Sequence, residues 1–332
     1  MEPLRLGVIG PGLIWSLRHE PALQALSDTF RIVAFCASSE RRRAEIAQAY
    51  PGAPFETDYQ SFVRRGDLDG VLVLTPIPLN APVSIEALGA GKHVFLEKPM
   101  ARSLEEGLAL VRQAERANRR LVVLEQDGYQ RRWQMVRDLL NAPEIGRLVS
   151  YEFTINFPFD DQAHDHGGYG RTAWRQKPDF PLGTLFDGGH HQMAMLATIF
   201  GKATSVYASG VNLRPEYGVY DHVFIHMVHA SGLRGMISYS NYLGGNSYFF
   251  VRGTQGMLAI ERDRVTVAPY QGAERMVELP RESTHDTMWG AIARAMQAGE
   301  EVAYGPQDAF RELVTLLAIE RAIVRDQAVE IE

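Results

Sequence analysis

Asp187 and His191 stand four residues apart, a spacing that puts two side chains on one helix face, and Leu185, Phe186, Met193, Met195 and Leu196 around them keep helical spacing. A carboxylate beside an imidazole can orient the ring and raise its basicity, which makes an acid–base pair suited to neutral pH. Such a pair on a helix surface is also an ordinary stabilising contact of about 0.3 to 0.5 kcal/mol. Lys98 follows the apolar run Val94-Phe95-Leu96 and Glu97, and Pro99 restricts the backbone that presents it. Read as chemistry it is a positioned charge beside a ligand crevice; read as structure it is a lysine that snorkels to solvent. Near the start, Gly10-Pro11-Gly12 closes the run Gly7-Val8-Ile9 and leads into Leu13. Gly10 permits a tight turn, and Gly12 lets a pyrophosphate approach backbone N–H groups at a helix start. The third glycine of the dinucleotide fingerprint is replaced by Trp15, which pushes the helix off the strand unless the turn is wider than usual. Without that glycine the motif can also be a plain strand-to-helix turn.

These residues need a scaffold, and the hydrophobic pattern supplies one. Leu6–Ile9, Arg31–Ala37, Gly70–Leu74, His93–Glu97 and Leu121–Glu125 read as strands with almost no polar alternation, separated by helix-length amphipathic stretches. Strands buried on both faces with helical crossovers form a doubly wound parallel sheet, whose ligands sit at the carboxyl ends of the strands. After a helix around Trp133–Leu140 the pattern changes to longer alternating segments, Leu148–Phe157, Val223–His229, Gly235–Asn241 and Gly256–Ile260, which suit an antiparallel sheet with one covered face. The expected α/β chain has a nucleotide-binding domain over residues 1–125 and a substrate and oligomerisation domain over 126–332, with a last helix near Pro306–Arg325 packing back between them. Phe224, Met236, Tyr239 and Tyr248 are expected on an open sheet face that a second subunit covers, which predicts a homodimer or homotetramer. His222, His226 and His229 read as sheet surface or interface.

The second strand ends Phe35-Cys36-Ala37-Ser38-Ser39, without the acid that reads the ribose of NAD. Ser38 and Ser39 leave room for a 2′-phosphate, and Arg41 and Arg42, with Arg43, could pair with it, so NADP is favoured over NAD. The alternative is local: Ser39 caps the next helix, Glu40 complements its dipole, and the arginines form a solvated face.

With 332 residues, 34 Lys+Arg and 40 Asp+Glu, the formal charge of −6 gives no pull on a phosphate backbone and argues against nucleic acid as partner. No apolar run reaches the ~18 residues that span a bilayer, and the single Cys36 fits a reducing compartment; a cytoplasmic protein without a membrane partner is expected.

Gly10-Pro11-Gly12 together with Gly91-Lys92-His93-Val94-Phe95-Leu96-Glu97-Lys98-Pro99 and Asp187-Gly188-Gly189-His190-His191 resembles the glucose-fructose oxidoreductase and inositol dehydrogenase family, often called Gfo/Idh/MocA. The resemblance extends through Thr75-Pro76, Ile145-Gly146 and Trp174-Arg175. It implies a Rossmann domain joined to an α/β domain with a large open sheet, and NAD(P) chemistry on a sugar or cyclitol hydroxyl. Lys98 is then the residue that meets the reacting hydroxyl near the nicotinamide, Asp187 positions substrate, and His191 is the acid–base residue. On this reading His191 takes the hydroxyl proton while hydride leaves the same carbon, and Lys98 stabilises the alkoxide. Nucleotide contacts fall to Gly10, Gly12 and Leu13, to Ser38, Ser39, Arg41 and Arg42, and to Thr75, Pro76, Asn80, Glu97 and Lys98. The chain departs from the family's usual Asn and His at Ile77 and Asn80, and has Ala194 where many relatives carry an acid. Tyr129, His166, Tyr169, Trp174 and Arg175 join Lys98, Asp187 and His191 as candidates for a sugar pocket, where aromatic faces stack on C–H surfaces. His164, Asp165, His166 and His190 add acid and imidazole, but a loop around Gly167-Gly168 fixes no ligand geometry, and no metal is assigned. Two rivals remain: a family glycosidase that oxidises a hydroxyl transiently and retains its nucleotide, and a non-enzymatic nucleotide sensor that needs neither Lys98 nor His191.

Overall fold

Five largely apolar runs and one two-residue segment pair in parallel: β1 (Leu4–Ile9), β2 (Phe30–Cys36), the short β3 (Phe55–Glu56), β4 (Gly70–Val73), β5 (His93–Glu97) and β6 (Leu121–Leu124), in the order β3-β2-β1-β4-β5-β6. This is the doubly wound sheet expected from sequence, and the order reverses at β1, between β2 and β4. Parallel register brings Ile9, Cys36, Val73 and Leu96 to one edge, so Gly10, Thr75 and Lys98 all leave the sheet at its carboxyl end. β3 escapes sequence reading because two residues carry no period.

A computed structural model describes residues 2–158, 172–214 and 220–331 of the chain. The chain divides into two units, Met1–Tyr129 with Ser283–Leu313 and Gln130–Glu282 with Val314–Glu332. The first unit thus draws in a distant segment that no composition shift announces, and the chain crosses to the second within the helix Pro306–Arg325.

In the second unit, β7 (Leu148–Asn156), β8 (Ala203–Val211), β9 (His222–His229), β10 (Arg234–Ser240), β11 (Tyr248–Gly253), β12 (Gly256–Ile260), β13 (Arg264–Pro269), β14 (Arg275–Glu278) and β15 (Val329–Glu330) form one sheet. Its order is β14-β13-β12-β11-β7-β10-β9-β8-β15, and only the β7–β10 pair is parallel. The helices Arg131–Leu140 and His190–Phe200 pack together, and Tyr151 stacks on Phe200 with ring centroids 4.7 Å apart, so the latter helix covers the Tyr151 face.

Two expectations about this sheet need correction. Phe224 (52% exposed), Met236 (66%) and Tyr248 (44%) do lie on the open face, but Tyr239 is 4% exposed on the covered one. Residues 236 and 239 are an odd number apart on one strand and cannot share a face. His229 likewise belongs to the core: its Nε2 lies 3.1 Å from the Tyr151 hydroxyl and its Nδ1 3.1 Å from the Gly201 carbonyl. Burial holds it below the usual histidine range. His222 is buried too, and His226 is exposed.

Candidate active site

Gly10 adopts φ 77°, and a Cβ there would fall 2.8 Å from the Leu74 carbonyl oxygen, so the turn accepts only glycine. The Trp15 problem is resolved by a wider turn: Trp15–His19 is π-helical, with the Glu20 N–H donating to the Trp15 carbonyl. The indole is buried against Phe35 and Tyr50, at centroid distances of 5.8 and 6.5 Å. Leu13 is exposed, and the space beside the Gly12 Cα is open, its nearest atom to an added Cβ being the Gly10 oxygen at 3.7 Å. A glycine turn backed by the β1 edge and open on its outer side fits a dinucleotide pyrophosphate.

At the end of β2 the contacts are local ones. Ser38 is exposed, and the Ser39 hydroxyl caps the helix Glu40–Ala49, accepting from the Arg42 N–H at 3.4 Å. Arg42 pairs with Glu45 at 2.5 Å and Arg41 with the same glutamate at 3.7 Å, while the Arg41 side chain stays 82% exposed. The arginines therefore have a carboxylate partner on their own helix, Arg41 in a solvated pair and Arg42 with a side chain only 20% exposed.

Lys98 is presented by a network with few spare polar atoms. Asn80, 1% exposed, donates from Nδ2 to the carbonyls of Glu97 (3.2 Å) and Pro99 (2.8 Å), and its Oδ1 accepts from the Thr75 hydroxyl (2.9 Å). Its amide thus braces the strand that carries Lys98, and Pro76 caps the helix Ile77–Gly89 on which it rides. The Glu97 carboxylate accepts the Lys98 N–H at 3.1 Å through Oε2, and its Oε1 lies 2.8 Å from His19 Nε2. Burial works to raise the Glu97 carboxyl, but the His19 hydrogen bond, together with the electrostatic influence of His19, Lys98 and His285, outweighs it and holds the group below its usual value. Sequence reasoning missed His19. The signal was present in Glu97 itself, since an acid at the end of a buried strand needs a donor from elsewhere.

In the second unit the expected single helix across Asp187 and His191 is two, Thr184–Gly188 and His190–Phe200, meeting at Gly189. Gly188 is required by close approach: a Cβ would lie 2.6 Å from the Tyr239 hydroxyl. Asp187, 7% exposed, receives Arg175 Nε at 2.6 Å, and the same guanidinium lies 3.9 Å from the Trp174 ring centroid and 3.3 Å from the Thr172 hydroxyl. Trp174, Arg175 and Asp187 thus form one array, and the arginine, read from sequence as a substrate contact, is first a partner of the aspartate. Burial, the hydrogen bond to Asn241 and the Asp187 charge act on the Tyr239 phenol, which ends above its usual range. His190 is fully buried and His191 half-buried.

Tyr129 is a core residue whose hydroxyl donates to the Tyr304 carbonyl at 3.4 Å. Tyr304 donates to Glu312 Oε2 at 2.5 Å in a buried pair; burial and the nearby Glu125 charge raise the Glu312 carboxyl far above its usual range. His164, Asp165, His166, Gly167, Gly168 and Tyr169 lie outside the described residues.

A doubly wound parallel sheet followed in the chain by a mixed, mostly antiparallel one, with a lysine at the end of a parallel strand, defines a class of two-domain α/β proteins, and comparison identifies the family. Residues 4–125 match the model described as "Oxidoreductase family, NAD-binding Rossmann fold", and residues 133–259 match "GFO/IDH/MocA C-terminal domain". The chain belongs to the GFO/IDH/MocA family. It is 30% identical over 226 residues to the uncharacterized protein YMR315W of Saccharomyces cerevisiae, a match spanning 68% of this chain and 63% of that protein. It is 28% identical over 214 residues to the scyllo-inositol 2-dehydrogenase (NADP(+)) IolW of Bacillus subtilis, spanning 63% of this chain and 55% of that one. These matches thus span 55 to 63% of the curated relatives' length. A crystal structure of an oxidoreductase from Thermotoga maritima superposes with TM-score 0.89 at 27% identity, covering 99% of this chain and 98% of that one. Among the described residues, no helix is long and apolar enough to cross a membrane.

Proposed function

We propose that the protein is an NADP-dependent oxidoreductase acting on a hydroxyl or keto carbon of a sugar or cyclitol. The observation that carries this reading is the presentation of Lys98 at the carboxyl edge of the parallel sheet, its peptide held by the Glu97 carboxylate and its strand braced by Asn80. Gly10, Gly12 and Thr75 at the same edge would hold the dinucleotide. When bound, its nicotinamide supplies the acceptor or donor of the hydride. The chain's own residues do the rest: the Lys98 ammonium stabilises the alkoxide, the His191 imidazole takes or returns the hydroxyl proton, and Asp187, held by Arg175, orients the substrate. Family membership supports these roles. Preference for NADP is supported by the exposed Ser38 and by the guanidinium groups of Arg41 and Arg42 in the first turn of the helix after β2, which can pair with a 2′-phosphate. The open face of the second sheet supports a homodimer or homotetramer, and the buried lone thiol a cytoplasmic location.

The test is a spectrophotometric panel of sugars, cyclitols and keto-sugars with both nucleotides, paired with titration calorimetry. Turnover with at least one polyol, and tighter NADP than NAD binding that Arg42→Ala abolishes, are expected. Release of an aglycone without net NADPH would make the protein a glycosidase instead, and nucleotide binding without any turnover would make it a sensor.

A further inference from the structure

Trp289, fully buried and edge-on to Phe30 (5.4 Å) and tilted on Phe95 (5.6 Å), donates its indole N–H to His19 Nδ1 at 3.0 Å. An indole N–H can only donate, so Nδ1 must offer a lone pair and the ring proton sits on Nε2. That proton points at Glu97 Oε1, 2.8 Å away, while Glu97 Oε2 takes the Lys98 N–H. The carboxylate is therefore pinned on both oxygens, one to the imidazole and one to the peptide that carries the lysine.

We propose that His19 is a positioning residue for the reaction: fixed by Trp289 as the neutral Nε2–H tautomer, it holds the Glu97 carboxylate in the orientation that presents Lys98. The proposal rests on Lys98 meeting the reacting hydroxyl, the role given to it under the proposed function. Neutrality of the ring is the point of the arrangement. A second proton on Nδ1 would confront the indole N–H, so the ring donates to Glu97 from Nε2 while its Nδ1 stays an acceptor. The groups facing Glu97 are His19, Lys98 and His285; the groups facing His19 are Glu97, Trp289 and His285, whose ring lies edge-on at 5.2 Å. His285 Nδ1 is 3.2 Å from the Thr284 hydroxyl. His19, Glu97 and His285 bring ligand atoms within 4.8 Å of one another, but a protonated Nε2 has no lone pair for a metal ion.

Nitrogen-15 NMR of histidine-labelled native protein tests the tautomer without any assay of activity. An unprotonated Nδ1 and a protonated Nε2 are expected. A proton on Nδ1 overturns the proposal. Kinetics then test its purpose. His19→Leu is expected to lose ~10- to 100-fold in kcat with nucleotide affinity retained, the scale of a displaced catalytic group. Its acidic pH limb should move upward, because Glu97 without a donor binds a proton more readily. His19→Gln, whose amide N–H reaches the place of Nε2, should recover most of the rate and the native profile. Equal losses in both variants with an unshifted pH profile would reduce His19 to packing. Lys98→Ala serves as the reference: if it retains full turnover, the role of Lys98 falls and the proposal with it. If it is inactive while His19→Leu is fully active, the proposal alone falls.

Discussion

Removing the guanidinium of Arg175 tests the second unit most directly. Arg175 Nε and Asp187 Oδ2 are 2.6 Å apart, with side-chain exposures of 16% and 10%. At an effective dielectric of ~20 such a pair attracts by about 6 kcal/mol before desolvation is charged against it. Truncating one partner of a mostly buried pair costs about 3 to 5 kcal/mol, since the carboxylate is left in a dry site. The lower end applies to Arg175→Ala, because both groups keep some solvent. At ~2 to 4 °C per kcal/mol for a unit of this size, the melting temperature should fall by ~6 to 12 °C. Arg175→Ala with Asp187→Asn removes both charges and should cost ~2 kcal/mol less than the two single losses combined. Arg175→Lys should fall between, keeping a charge but losing the planar stack on Trp174. Differential scanning calorimetry of the native protein and these variants reads all of this. Additivity within ~0.5 kcal/mol, or a single variant melting within about 1 °C of the native protein, would refute the pair as a stabilising unit.

Lys98→Ala and His191→Ala should each depress turnover by ~100-fold or more with nucleotide affinity intact, and the double variant should lose less than the product of the two, because both act on one hydroxyl; strict additivity in activation free energy counts against shared action. Phe224→Glu should yield a folded, smaller species by light scattering, whereas Tyr239→Glu, placing a charge on the covered face, should lower melting temperature and solubility without releasing a folded monomer. Burial, with Glu56 and Asp58 nearby, pushes the Cys36 thiol up to about 12. Raised above its unfolded value, it stays protonated in the native state, so a thiol reagent at about pH 8 should label Cys36 only at the rate of unfolding; rapid labelling of native protein would contradict this placement.

The parallel sheet is legible in the sequence because buried strands carry an uninterrupted apolar run, and His93–Glu97 can be read to the residue. Gly256–Ile260 and the helix Pro306–Arg325 are equally clear. β8 is not, since Ser205, Ser209 and Gly210 dilute its period, and neither is β14, whose four residues Arg275–Glu278 are mostly exposed and too few to show one. The sequence singles out Lys98, Asp187 and His191 as candidates, chiefly through the family resemblance. It cannot find the partners that hold them, because His19 reaches Glu97 across 78 residues and Trp289 reaches His19 across 270. Arg175 is found by its motif but given a ligand before its nearer partner, Asp187. Face assignment fails at Tyr239 for a simpler reason: counting along β10 from Met236 places it inside.

The wide turn at Trp15–His19 also fixes an angle. Each residue of an α-helix advances about 100° around the axis, and a π-turn inserts one residue without starting a new element. Deleting a single residue between Gly12 and Arg18 would let the segment rewind as α-helix, rotating its downstream end by more than a quarter-circle and swinging His19 away from Glu97. The glycine turn upstream would keep its shape. Gly10 therefore sets the origin of this segment and the bulk of Trp15 sets its phase, so a chain with a different residue count here must find the donor for its strand-end glutamate at another point on the circle.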